Sequence, residues 1–252
     1  MSQEIINNVA AVVLSAGKGS RLGCVDIPKV MLDVGGMPLV SYTVDTLKKV
    51  GLTEDRICLV IGFQAQKVRD YFGDSVSYAD QTELKGTAHA AFTGIQTLPS
   101  YIEHVLVLGG DDSAFYSAET IRHFIDQHIA SQCVLSLLSA IVDNPGQLGR
   151  VVHLENGDIE IVEKEYTTDE QKLIKEISTG TFCFNRAWFE SIFPRMPMLR
   201  KLGEYGLPAA IAMARDEKEK YQVVPLKDSG EWFGVNTPEE LEEARKRKMT
   251  NV

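Results

Sequence analysis

The segment from Leu14 to Gly23, Leu-Ser-Ala-Gly-Lys-Gly-Ser-Arg-Leu-Gly, holds the first residues whose types and spacing could do chemistry. Small residues at Ser15, Ala16 and Gly17 let the backbone approach a ligand, and flexible glycines let successive N–H groups line a phosphate. Lys18, Arg21 and, after Asp26-Ile27-Pro28, Lys29 place three cations beside those amides. An anion is the partner this combination suits; the alternative is an ordinary turn with solvated cations. Gly17, Gly19 and Gly23 fit neither the dinucleotide fingerprint nor the phosphate loop that ends in Gly-Lys-Ser/Thr, so the spacing alone names no ligand. A second set is Gly109-Gly110-Asp111-Asp112, directly after an apolar run. A carboxylate at a strand end suits a hard cation, because Mg²⁺ takes oxygen ligands, one or two from protein and the rest from substrate phosphates. Adjacent side chains on an extended chain leave opposite faces, so only one of Asp111 and Asp112 is expected to point into a site at the strand end.

Other catalytic sets are missing. His89, His104, His123, His128 and His153 share no metal-like spacing and read as core or surface residues. No Ser-His-Asp or Cys-His arrangement stands out. Cys24, Cys58, Cys133 and Cys183 lie far apart without a CxxC pair, against a zinc knuckle, a redox motif or a disulfide framework. The last three sit in apolar runs and read as buried thiols.

The elements that must position these residues follow from periodicity. Apolar runs at 9–14, 57–61, 105–108 and 134–138 alternate with helical patterns at 38–50, 64–72 and 118–130. That grammar signals βαβ units and a mostly parallel sheet with helices on both faces. The glycine loop follows the first strand, where open α/β sheets bind ligands. Residues 81–86 read as a polar loop, ended by Thr87 as N-cap of a helix over 88–98. From Gly149 the pattern changes to alternating strands around Asn156-Gly157, a hairpin signal, followed by Thr179 to Asn185 as another strand. A helix over 207–216, a strand over 221–225 and a last helix beginning Thr237-Pro238 close the chain. The expected fold is α/β, a Rossmann-like, mixed and mostly parallel sheet flanked by helices, with a small antiparallel β lobe. One domain over 1–252 is expected, with a first half at about 9–145, a second half at about 146–236 and a C-terminal helix over 237–252.

Composition narrows the class. The 252 residues carry 26 Lys and Arg against 35 Asp and Glu, a formal charge of −9, and no basic stripe gathers on one segment, so nucleic acid and anionic membranes are not expected partners. The opening residues show no leader, and no apolar run approaches the roughly 18 residues of a spanning helix. A cytoplasmic protein is expected. Oligomeric state is not legible.

The order Leu14-Ser-Ala-Gly-Lys-Gly-Ser-Arg-Leu-Gly, Asp26-Ile-Pro-Lys, Gln81-Thr-Glu-Leu-Lys-Gly-Thr-Ala-His, Leu108-Gly-Gly-Asp-Asp, Leu148-Gly-Arg, Ile161-Val-Glu-Lys-Glu, Glu176-Ile-Ser-Thr-Gly-Thr and Gly234-Val-Asn-Thr-Pro-Glu-Glu resembles the sugar-1-phosphate nucleotidyltransferases. The resemblance runs from about Val9 to Ala244 and is nearest to the uridylyltransferase domain of the bifunctional N-acetylglucosamine-1-phosphate uridylyltransferases. It implies transfer of a nucleotidyl group from UTP or dTTP to a sugar 1-phosphate, with release of pyrophosphate and with Mg²⁺ as cofactor. By the same resemblance, Leu14, Ala16, Gly17 and Gly19 contact the nucleotide, Arg21 the triphosphate, and Lys29 the phosphate of the second substrate. Gln81, Gly86 and Thr87 match the reader of uracil. Asp111 and Asn236 match the metal ligands, and Gly149, Glu163, Ser178 and Thr179 the sugar-phosphate side.

Departures from the family pattern gather on the sugar side and the metal rim. Ser178 stands where an asparagine usually meets the N-acetyl group; Gly109 replaces a tyrosine, Asp112 an apolar residue, Ala88 a glycine, and Thr237 an asparagine. Hexapeptide repeats of a β-helix are absent from the sequence, so acetyltransferase chemistry is not expected of it. Three other functions compete. One is a cytidylyl- or guanylyltransferase with another phosphorylated acceptor, and another is a nucleotide-binding regulatory subunit with weak turnover. The third, an NAD-dependent dehydrogenase, lacks the required glycine spacing.

Overall fold

The computed structural model describes residues 6–198 and 203–250. The leaderless reading of the first five residues and the last two positions of the expected C-terminal helix lie outside the described residues.

A seven-strand path forms the centre, in the order β11 (Tyr221–Pro225), β7 (Leu135–Ile141), β10 (Glu176–Asn185), β6 (His104–Gly109), β1 (Val9–Leu14), β4 (Ile57–Ile61) and β5 (Ser77–Asp80). β6, β1, β4 and β5 run parallel, as do β11 and β7; β10 alone runs antiparallel between β6 and β7. β1 up to Val13, β4 and the middle of β6 are buried, which is why they are continuous apolar runs rather than alternating ones. Helices α1 (Leu39–Val50) and α4 (Ala118–Ser131) belong to one face of the core. α3 (Thr87–Ile95), α5 (Arg186–Ile192) and α6 (Ala209–Asp216) pack on the other. α2 (Ala65–Phe72) follows β4 and buries Val68 and Phe72. The small ribbon of β2 (Asp33–Val34) and β3 (Met37–Pro38) stands apart.

β8 (Arg150–His153) and β9 (Ile159–Val162) form the expected antiparallel hairpin, joined to the sheet through β10. The register of β10 shifts between Ser178 and Phe182, so the strand bends where it passes from the lobe to the centre. The C-terminal helix α7 (Pro238–Thr250) starts as expected, with Thr237 Oγ1 accepting from Glu240 N at 3.2 Å. The Glu240 carboxylate in turn accepts from the N–H groups of Asn236 and Thr237, completing a capping box. Thr87 is not the N-cap of α3: the helix begins at Thr87 itself after Gly86, and the Thr87 hydroxyl accepts instead from Leu207 N at 3.1 Å. A tertiary partner took the oxygen that local sequence assigned to capping.

Candidate active site

β1 and β6 end together, with Leu14 beside Gly109 in register, so the glycine loop and the Gly109–Asp112 turn leave the sheet side by side. Short backbone bonds fix the exits: Ser15 N donates to Val60 O at 2.8 Å, Gly110 N to Leu14 O at 2.9 Å, and Gln81 N to Ile61 O at 2.8 Å. A cavity of about 540 Å³ opens at these carboxyl ends. Leu14, Ala16, Gly17, Gln81, Gly86 and Thr87 line it from the parallel side. Gly149, Glu163, Ser178 and Thr179 line it from the antiparallel lobe, and Asp111 also reaches it. Gly19, Arg21, Lys29 and Asn236 are not in its lining, and the last three form a polar chain linked to Asp111.

Lys29 is the centre of that chain. Its side chain is buried, with the residue 8% exposed, and its ammonium pairs with the Asp111 carboxylate and donates to Asn236 Oδ1 at 2.8 Å. Arg21 donates to the same amide oxygen at 3.0 Å. Gly19 makes this approach possible: it has φ +68°, and a Cβ there would lie 2.6 Å from Lys29 Cβ. Asn236 is held by the capping box of α7 and by Val235 N donating to Asp111 O at 3.0 Å. Asp111 and Asn236 thus turn a carboxylate and an amide oxygen toward one cationic point, a donor set that fits Mg²⁺. Among the described residues no cluster of three His, Cys, Asp or Glu could hold a metal unaided, so phosphate oxygens would have to complete the shell.

Gln81 is buried and oriented by His89. Its Nε2 donates to His89 Nδ1 at 3.1 Å and reaches Gly86 O at 3.4 Å, which leaves its amide oxygen without a partner among the described residues. Burial, and then the Lys85 charge, lower the His89 pKa, in keeping with a neutral ring that accepts at Nδ1. Sequence reasoning placed His89 among core or surface residues; its position in the first turn after the polar loop was the available signal. Gly86 has φ +97°, and a Cβ there would sit 2.5 Å from Tyr205 O. That carbonyl also accepts from Ala88 N at 2.8 Å, so the loop is clamped against the segment before α6.

The lobe side is less committed. Burial, and then Glu165, push the Glu163 carboxyl up, and no hydrogen bond or ion pair to its side chain is found among the described residues. Ser178 N donates to Gly149 O at 3.0 Å, and Ser178 Oγ lies 3.4 Å from Gly180 N. Thr179 brings little free chemistry, because its hydroxyl donates to Leu138 O at 2.6 Å and accepts from Thr181 N at 3.2 Å. Trp232, Phe182 and Leu207 complete the apolar lining and carried no signal in the sequence; Trp232 Nε1 donates to Thr179 O at 3.2 Å.

The placement of Asp112 corrects the expectation that only one of the two aspartates can point into the site. Both Asp111 and Asp112 line the cavity. β6 ends at Gly109 and the three residues from Gly110 to Asp112 form a turn, so the strict alternation of a strand no longer governs where the side chains go. Burial, and then the Asp111 charge, push the Asp112 carboxyl well above its ordinary value.

The profile of the family described as Nucleotidyl transferase matches residues 10–250. The bifunctional protein GlmU of Symbiobacterium thermophilum is 34% identical over 251 residues, 98% of this chain and 52% of the relative. That of Geotalea uraniireducens is 36% identical over 242 residues, 95% of this chain and 52% of the relative. The chain therefore spans about half the length of the curated relatives it matches. A structure from Bacillus anthracis, described as a glucose-1-phosphate thymidylyltransferase in complex with a sucrose, superposes with a TM-score of 0.77 at 22% identity, over 95% of this chain and 94% of that one. That likeness bears on the fold, and the fold is the expected one.

Proposed function

The chain belongs to the nucleotidyl transferase family, and on that premise we propose that it transfers a uridylyl or thymidylyl group from UTP or dTTP to a sugar 1-phosphate, releasing pyrophosphate. The observation that carries this reading is the Lys29 ammonium set between Asp111 and Asn236, at the edge of a cavity shared by the Gln81–Thr87 loop and the Gly149–Glu163 lobe. A phosphate oxygen of the acceptor attacks the α-phosphorus in line; the new P–O bond forms as the bond to the β-phosphate breaks, and pyrophosphate leaves. A phosphate monoester is a competent nucleophile near neutral pH, so the reaction needs positioning and charge screening more than a general base.

Gln81 presents its amide oxygen to a base donor, which suits the N3–H of uracil or thymine and disfavours the bare N3 of cytosine. The glycine loop presents backbone N–H groups to phosphate, and Arg21 and Lys29 offset the charge of two polyanions brought together. A magnesium ion, held by Asp111 and Asn236 when bound, would supply Lewis-acid screening of the same phosphates. Among the described residues no helix is long and apolar enough to cross a membrane.

Pyrophosphate release with a panel of nucleoside triphosphates against a panel of sugar 1-phosphates, with and without Mg²⁺, tests the proposal. Turnover with UTP or dTTP that depends on both acceptor and Mg²⁺ is expected. Binding of UTP without pyrophosphate from any acceptor would favour a regulatory role, and turnover confined to CTP or GTP would move the base assignment.

A further inference from the structure

Asp112 has a cage and no partner. Its Oδ1 is shut from solvent and makes no hydrogen bond among the described residues. Three glycines surround the side chain. A Cβ on Gly109 would fall 2.5 Å from Asp112 Oδ1, one on Gly180 would lie 3.5 Å from Oδ2, and one on Gly234 would lie 3.8 Å from Asp112 Cβ. Any side chain at position 109 would therefore compete with the carboxylate for the same space. The two departures noted in the sequence, glycine at 109 and aspartate at 112, are spatially one feature: the first makes the room that the second fills.

A desolvated carboxylate beside a second one is costly to hold as an ion, which is why burial and Asp111 push its pKa up, and a bound cation would relieve that cost. The Lys29 charge favours the ionised Asp112 carboxyl, yet the Lys29 ammonium makes its bonds to Asp111 and Asn236, and Arg21 is bound to Asn236. Glu163, on the same cavity, is a second carboxylate without a cation. A neutral hydroxyl could donate one hydrogen bond here but would bring no charge to favour the ionised form of either carboxyl. An ammonium would supply several donors and the missing charge, and charge-assisted bonds are roughly twice as strong as neutral ones.

We propose that Asp112, in the room left by Gly109, is a specificity residue that receives a protonated amino group on the acceptor, so that the preferred sugar 1-phosphate is a free amino sugar rather than its N-acetylated or hydroxyl counterpart. This rests on the nucleotidyl-transfer reading above and names the acceptor class within it. Ser178 agrees with the choice, because an acceptor without an acetyl group asks for no amide at that position.

The test compares kcat/KM for glucosamine 1-phosphate, glucose 1-phosphate and N-acetylglucosamine 1-phosphate, with UTP held saturating, in wild type, Asp112→Asn and Gly109→Ala. Wild type should favour the free amine by about ten- to hundredfold, the range of one charge-assisted hydrogen bond. Asp112→Asn should bring the ratio close to unity, a change that a merely structural role would not produce. Gly109→Ala, which forces the carboxylate to shift while retaining it, should lower the ratio part of the way. Equal use of the amine and hydroxyl acceptors by wild type, or a ratio that survives Asp112→Asn, overturns the inference while leaving nucleotidyl transfer standing. If no acceptor yields pyrophosphate, it is nucleotidyl transfer that fails. Calorimetric binding of glucosamine 1-phosphate against glucose 1-phosphate then decides the role of Asp112 on the same criterion: a preference lost in Asp112→Asn supports it, and equal affinities overturn it.

Discussion

The Gln81–Thr87 side of the cavity and the Asp112–Glu163–Ser178 side are finished to different degrees. On the first, Gln81 is tied to His89, Thr87 to Leu207, and Gly86 is clamped by the backbone of Tyr205. The polar groups there are oriented before any ligand arrives, leaving one amide oxygen to read a base. On the second, Asp112 Oδ1 and the Glu163 side chain make no hydrogen bond among the described residues, and the Ser178 hydroxyl makes a long contact with Gly180 N. A preorganised region can serve one nucleotide across many enzymes, whereas an unfinished region is completed by its ligand and can change with it.

Lys29 lies at the junction of the two sides, so its loss should be the most severe and the least selective. Lys29→Ala is expected to lower turnover by roughly 10² to 10³ with every acceptor, the scale of removing one preorganised charge partner of a transition state. Single-turnover rates measured with amino and hydroxyl acceptors should fall together. A loss confined to one acceptor would put Lys29 on the acceptor side and dissolve the junction. Asp111→Ala should follow the same uniform pattern, in contrast to the acceptor-dependent effect of Asp112→Asn.

Gly86→Ala attacks the preorganised side alone. The backbone at φ +97° resists a Cβ, and that Cβ would collide with Tyr205 O, a backbone atom that cannot swing aside. Such strain costs about 1 to 3 kcal/mol, so UTP affinity is expected to drop by about ten- to hundredfold. Calorimetry with UTP reads that loss, and the ratio between acceptors should stay where it was. A shift in acceptor ratio would mean that the two sides are mechanically one.

Much of this arrangement was legible in the sequence because it is local. The continuous apolar runs at Val9–Leu14 and Ile57–Ile61, the Thr237-Pro238 helix start and the Asn156-Gly157 turn each carry their instruction within a few residues. The short strand Ser77–Asp80 and helix Arg186–Ile192 carried weaker instructions and were not anticipated. Within the site, Leu14, Ala16, Gly17, Gln81 and Gly86 reach one cavity as the family order implies. What escaped depends on contacts between distant segments. Thr87 meets Leu207, 120 positions away, so a rule for local capping could not place its hydroxyl. Asp111 and Asp112 were set apart by strand alternation at a point where the strand has already ended. His89 acquires a purpose only once the loop of Gln81 folds back onto it.

Ser178→Asn probes the unfinished side with the smallest expected change. In its present form the Ser178 hydroxyl lies 3.4 Å from Gly180 N, at the edge of hydrogen bonding, so little is lost when it is replaced. The backbone N–H of residue 178 stays bound to Gly149 O at 3.0 Å and keeps the new side chain at the cavity wall. An asparagine there would present an amide that an N-acetyl group can pair with, while Asp112 and Glu163 would still lack their cation. One neutral hydrogen bond is worth about 0.5 to 1.5 kcal/mol, so kcat/KM for N-acetylglucosamine 1-phosphate should rise by about two- to tenfold relative to glucose 1-phosphate. The free amine should remain the preferred acceptor, since the charge that favours it is untouched. If wild type already prefers the N-acetylated sugar and Ser178→Asn leaves that preference unchanged, residue 178 does not select the acceptor, and the two sides of the cavity differ less than their hydrogen bonding implies.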